Sequence, residues 1–178
     1  MTIDMTRHSG ATGLAVAEQI DRRDVWRVRT DIQPYYYYES EDGREQTAST
    51  EPLGVTFIET EFPYKPTMAE VRAFVHGVID EQTREQIISG FRWQEKPVWL
   101  SIENQLNFAT AKVGEAHKIG EQEDGTPVYR IFETTDERDA FWQDCLDWKQ
   151  QCLTAGRRAK DLFDFTPYAK ALGITTEE

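Results

Sequence analysis

The chemistry this sequence could perform rests on three histidines, two cysteines and a large surplus of carboxylates. A protein metal site needs His, Cys, Asp or Glu donors converging on one point, often at short recurrent spacings. His8, His76 and His117 stand far apart and share no such spacing, so only the fold could bring further donors to them. A thiolate nucleophile needs a cysteine exposed beside a histidine or a cation. Cys145 and Cys152 lie in a segment of helical periodicity, two turns apart. That separates them by about 10 Å, beyond disulfide reach. Both fall on the apolar stripe of that helix and read as small apolar core residues of a reducing compartment.

Glycoside hydrolysis needs two carboxylates set across a sugar. Acidic groups such as Glu39, Glu41 and Asp42, or Glu121, Glu123 and Asp124, offer the residue type. With 32 acids in the chain, their presence selects no pair. Tyr35 to Tyr38 could line a sugar groove, but a strand with one face buried accounts for the same run. Gly10-Ala11-Thr12-Gly13 is too short for a phosphate loop and lacks its Lys. There is no dinucleotide fingerprint and no nucleophile elbow. The sequence therefore predicts no catalytic residue, no cofactor site and no metal site, and the chain is expected not to be an enzyme.

Charge narrows the partners. Lys and Arg total 20 against 32 Asp and Glu, a net charge of −12. Such a surface repels phosphate backbones, so direct nucleic-acid binding is not expected. It keeps a protein soluble, or it mimics nucleic acid if the carboxylates share one face. No run of about 18 apolar residues occurs, so no membrane helix is expected. Met1-Thr2-Ile3-Asp4 lacks the basic and apolar regions of a signal peptide, which points to synthesis and folding in the cytoplasm.

The elements that must position these residues can be read in order. Residues 1–24 form an extended arm, or a short helix over Ala11 to Ile20 with Leu14, Ala17 and Ile20 on one side. Residues 25–64 read as a small antiparallel sheet, with strands around Val25–Thr30, Tyr35–Tyr38 and Val55–Phe62 and a polar loop between them turning at Asp42-Gly43. Thr67 with Glu70 is a capping box, opening a helix that buries Val71, Phe74, Val75, Val78 and Ile79 and stops at Ser89-Gly90. Phe91–Trp93 and Val98–Leu100 flank Gln94–Pro97 as a hairpin. Ser101 caps a second helix, whose inward face is expected to be Ile102, Leu106, Ala109 and Val113. A loop around Asp124-Gly125 precedes a strand over Val128–Phe132. Thr134 with Glu137 is a second capping box, opening a long helix over Thr135–Asp161. On it Phe141, Cys145, Trp148, Cys152, Ala155, Ala159 and Leu162 alternate at spacings of four and three, a continuous apolar seam. That seam either packs inside the chain or forms an oligomer interface. Residues 165–178 read as a tail with an acidic end.

Three stretches carry a resemblance. They are Ser89-Gly90-Phe91-x-Trp93 with Val98-Trp99-Leu100-Ser101-x-Glu103-Asn104-Gln105-x-Asn107-Phe108; Pro127-Val128-Tyr129-x-x-Phe132-x-Thr134 with Glu137-x-x-x-Phe141; and Leu153-x-x-Gly156-x-x-x-Lys160-Asp161. In this order, over residues 86–164, they resemble a small domain of unknown function found in tail-fibre-associated proteins of bacteriophages and prophages. The resemblance implies a virion or virion-assembly setting and carries no active site.

The expectation is an α+β protein: a small antiparallel N-terminal sheet, then a helix–hairpin–helix–strand–long helix module over residues 65–164. Trp99, Phe108, Phe141, Trp142 and Trp148 are the expected core or interface anchors. The expected function is a virion structural or assembly protein (tail fibre, baseplate, neck or head decoration) whose partners are other virion proteins or copies of itself. The rival is a small acidic cytoplasmic inhibitor of a host nucleic-acid-binding or defence enzyme; a glycan hydrolase is a third reading.

Overall fold

A computed structural model describes residues 3–20, 24–36, 38–41, 45–48 and 51–174. The chain is α+β, as expected, and divides into two compact units. One comprises residues 1–78 and 163–178, the other Ile79–Leu162. The boundary falls inside the first helix, not at its start.

In the first unit, β1 (Arg7–Gly10), β6 (Gly54–Phe62), β3 (Trp26–Tyr35) and β2 (Ala17–Gln19) form a four-stranded antiparallel sheet in that order. β4 (Tyr38–Glu41) and β5 (Glu45–Ala48) make a separate two-stranded ribbon inside the expected polar loop. The Asp42-Gly43 turn lies outside the described residues. Strand β3 buries Val28, Arg29 and Thr30 in succession. Arg29 is only 3% exposed, and a buried cation must be paired and hydrogen-bonded. Its guanidinium donates to Glu18 Oε1 at 2.6 Å, Glu59 Oε2 at 3.2 Å and the Ala15 carbonyl at 3.0 Å. Of the two expected forms of this segment, an extended arm or a short helix over Ala11 to Ile20, the helix is not formed: the stretch is a turn and coil leading into the three-residue strand Ala17–Gln19. Gly13 turns the chain at φ 80°, and the Arg29 amide donates to the Val16 carbonyl at 2.8 Å. Long-range pairing outweighs the weak helical spacing of three apolar residues.

The expected C-terminal tail is a second correction. Residues Thr166–Ala171 form a helix, α4, and Phe165, Tyr168, Ala169 and Leu172 are buried. The Tyr168 hydroxyl donates to the Arg29 carbonyl at 2.7 Å. The sequence from 163 to 172 carries enough apolar surface to return to the sheet that holds Arg29. Residues 175–178 lie outside the described set.

Helix α1 (Met68–Ser89) begins at the predicted capping box: Glu70 accepts from the Thr67 amide at 2.8 Å, and Thr67 Oγ1 accepts from the Glu70 amide at 3.3 Å. Its first half buries Val71, Phe74, Val75 and Val78 in the first unit. Its second half belongs to the second unit. There β7 (Phe91–Trp93) and β8 (Lys96–Val98) form a hairpin, α2 spans Ile102–Ala109, and β9 (Ala116–Glu121) pairs with β10 (Pro127–Ile131). Strand β9 was not evident in sequence. Its Gly120 passes so close to the Pro97 carbonyl that a Cβ would collide, and the Trp99 amide donates to the Ile119 carbonyl at 2.8 Å. Helix α3 covers Thr135–Asp161 and is capped by Thr134. Here Glu137 reaches the Glu133 amide and Arg130 in place of the capping residue's own amide.

The β7–β8 turn is tighter than predicted. Only Gln94 and Glu95 connect the strands, at φ 48° and 63°. Two successive left-handed residues suit Asn-Gly and strain β-carbon-bearing side chains. Replacing Gln94-Glu95 by Asn-Gly is expected to stabilise the protein by about 1 kcal/mol. Calorimetry should show a melting midpoint higher by about 2–4 °C.

Candidate functional site

The second unit is organised around one ring. Phe141, fully buried, has the rings of Trp93, Phe108 and Phe132 each at a centroid distance of 5.1 Å. Phe91, Val98, Leu100, Ala111, Ile119, Val128 and Cys145 complete the core, with Trp142 and Trp148 packed half-buried against it. Of the expected anchors, Phe108 and Phe141 are core, and Trp142 and Trp148 border it. Trp99 is different: its backbone is pinned to β9, while its side chain is 36% exposed.

Helix α2 departs most from expectation. Its polar side chains turn inward to serve the backbone. The Ser101 hydroxyl accepts from the Asn104 amide, Asn104 Nδ2 donates to the Trp99 carbonyl at 2.9 Å, and Gln105 Nε2 donates to the Leu100 carbonyl at 2.6 Å. Lys149 of α3 donates to Gln105 Oε1 at 2.7 Å. These bonds fix the rotation of the helix. Phe108 points into the core, and the face expected to be inward is outward: Ile102 is 81% exposed and Leu106 66%, with Ala109 and Val113 also exposed. Val113 and Ala109 line one depression together with Trp142. Satisfying the backbone carbonyls and amides around the start of α2 outweighs the helical apolar spacing. The signal that could have found this is the run Asn104, Gln105 and Asn107 directly behind the capping serine.

The residues with chemical potential are dispersed. His8 stacks on Phe57 in the first unit, where His76 also lies, edge-on to Phe165. His76 Nε2 is buried without a hydrogen-bond partner among the described residues. In the second unit His117 Nε2 meets the amide and carbonyl of Lys112 at 3.2 and 2.9 Å and stacks on Phe132. Among the described residues no three His, Cys, Asp or Glu side chains are grouped to hold a metal. Glu121 pairs with Lys118. Hydrogen bonds from Thr126 hold Asp124 below the usual carboxylate range and close the β9–β10 turn, where Gly125 adopts φ 82°. Tyr35 and Tyr36 are exposed at the end of β3 and beyond it. Tyr37 and the side chain of Tyr38 lie outside the described set. No helix among the described residues is long and apolar enough to cross a membrane.

The most prominent surface feature of the second unit is thus the outward apolar face of α2. No family model, curated protein or solved structure matches the chain.

Both cysteines are free and buried. Burial, with the Asp144 carboxylate adding to it, pushes the Cys145 thiol up to about 12, and burial also raises Cys152. A thiol raised in the folded state leaves stability intact below its unfolded value and lowers it as pH rises from there toward 12. At pH 8 a disulfide-exchange reagent should leave Cys145 unmodified in the native protein and should titrate both thiols in denaturant. Rapid native modification of Cys145, located by mass spectrometry, would contradict this burial.

Proposed function

We propose that this protein is a non-enzymatic structural or assembly component of a bacteriophage particle, acting through protein–protein contact. The observation that carries the reading is the α2 face. Ile102 and Leu106 stand in water at 81% and 66% exposure on a helix whose orientation is fixed by side-chain bonds. Burying such side chains yields about 25 cal/mol per Å², and a rigid, solvent-facing apolar stripe is suited to a partner. The resemblance to phage tail-fibre-associated domains supplies the setting. Its signature residues Phe91, Trp93, Val98, Leu100, Phe108, Val128, Phe132 and Phe141 coincide with the core of the second unit, the unit that builds and orients α2. That signature consists of fold determinants and carries no catalytic set, which supports a scaffold or adaptor.

The test is affinity capture of the tagged chain from infected host cells, with identification of what it brings down. Virion proteins are expected. The double substitution Ile102→Asp, Leu106→Asp should reduce capture by about 30-fold, as loss of a hot-spot pair does. Its melting midpoint should be unchanged, because both positions are exposed. Capture of a single basic host enzyme with no virion protein would overturn the proposal in favour of an acidic inhibitor. Undiminished capture of virion proteins by the double variant would remove α2 as the contact.

A further inference from the structure

The apolar seam of α3 has two fates. Its first half, Phe141 and Cys145, is buried in the chain's own core. The periodicity continues through Cys152, Ala155, Ala159 and Leu162, yet Ala155 and Ala159 are exposed and Leu162 is 70% exposed. This part of the seam forms one wall of an open groove of about 490 Å³, whose other wall is the second half of α1. Ile79, Thr83, Trp148, Cys152, Ala155 and Ala159 line it, together with the glutamines at 82, 86 and 151. The groove cannot close by the helices moving together. They already touch at Gly156, where a Cβ would collide with the Thr83 hydroxyl, and they are bolted by the Lys160–Asp80 ion pair and by Trp148 Nε1 donating to the Gln86 carbonyl at 3.2 Å. The small exposed residues Ala155 and Ala159 admit a further helix at close range.

The rims identify the occupant. On the α3 side, Arg158 follows the groove residues Gln151 and Ala155 at steps of four and three, so it lies on the outer rim. On the α1 side, Glu85 follows the groove residue Gln82 by one turn. Both are exposed, and among the described residues neither forms an ion pair within its own chain. The α3 rim also carries the anion Asp147, one turn before Gln151, and the groove is self-complementary at the opposed pair Arg158 and Glu85. A twofold axis running along it lays each α1 over the partner's α3 and brings Arg158 and Glu85 together twice, as an isologous contact requires. In a chain of net charge −12, this register sets opposite charges against each other where most others would oppose like charges.

We propose that the α1–α3 groove is a self-association surface, occupied by the same groove of a second copy in a four-helix contact. The inference rests on the reading of the protein as an assembly component, and it uses a surface distinct from α2.

The test is the solution mass, by sedimentation equilibrium, of the full chain and of two charge-reversed variants, Glu85→Arg and Arg158→Glu, alone and mixed. The wild type should approach the mass of two 20.6 kDa chains. Each variant alone places like charges together twice and should self-associate about tenfold more weakly. The equimolar mixture should recover wild-type association, because each mixed pair restores one opposed arrangement at each end when Glu85→Arg faces Arg158→Glu. Circular dichroism checks that both variants keep the fold. A wild-type dimer indifferent to both reversals would place self-association elsewhere and overturn this inference while leaving the proposed function standing. A wild type at one-chain mass would overturn it as well, and capture of virion proteins through α2 would still decide the function separately.

Discussion

The second unit depends on where Phe141 sits. A single phenyl ring on α3 receives one aromatic ring from β7, one from α2 and one from the segment after β10. Edge-to-face and tilted contacts at about 5 Å are favourable beyond simple burial and are directional. They therefore fix angles as well as proximity. Two short hairpins and an eight-residue helix have too few internal hydrogen bonds to persist alone. Gathering them on one ring is what makes them a unit. Trp93 is held further by its Nε1 donating to Asp144 at 3.0 Å and by Arg130 over its face at 5.3 Å.

The first unit has a polar counterpart to that hub. Arg29 sits in the middle of β3, almost without solvent, and draws β2, β6 and the β1–β2 connection around one guanidinium. The same residue's carbonyl receives Tyr168 from α4, so its side chain organises the sheet while its backbone anchors the end of the chain. Arg27 extends the pattern toward solvent through Glu61 and Glu59. The carboxylates nearest these arginines, Glu18, Glu59 and Glu61, are thus committed to them, while the net charge of −12 is unchanged by that pairing.

The parts of this fold legible in sequence are those set by local chemistry. The capping box at Thr67 and the capping hydroxyl of Thr134 mark two helix starts, and α3 has the bounds its periodicity predicts. The elements that escaped depend on distant partners. Strands β1 and β2 are three or four residues long and exist because β3 and β6 offer edges. Strand β9 contains a glycine chosen for close approach to Pro97. Helix α4 has no side-chain cap and is held by burial. For the candidate site, the residues of α2 were identified but the side they present was inverted. Apolar spacing predicts which residues share a face and is silent on which way that face turns. The direction came from amide side chains completing their hydrogen bonds. The apolar seam was equally ambiguous, and the structure divides it: half core, half open wall.

That division bears on how the chain would build an assembly. A groove paired with itself about a twofold axis is closed: it joins two copies and is then spent. Beside the α2 face the charge is mixed, with Glu103 and Glu115 standing among the exposed cations Lys112 and Lys118, so what distinguishes that face is its exposed apolar side chains and not its sign of charge. If both proposed contacts form, the groove joins two copies and each copy keeps its α2 face for a further contact. The positive stretch Arg157, Arg158 and Lys160 at the end of α3 favours the helix dipole; Lys160 is already engaged by Asp80, and Arg158 is the member that the proposed two-copy contact would use.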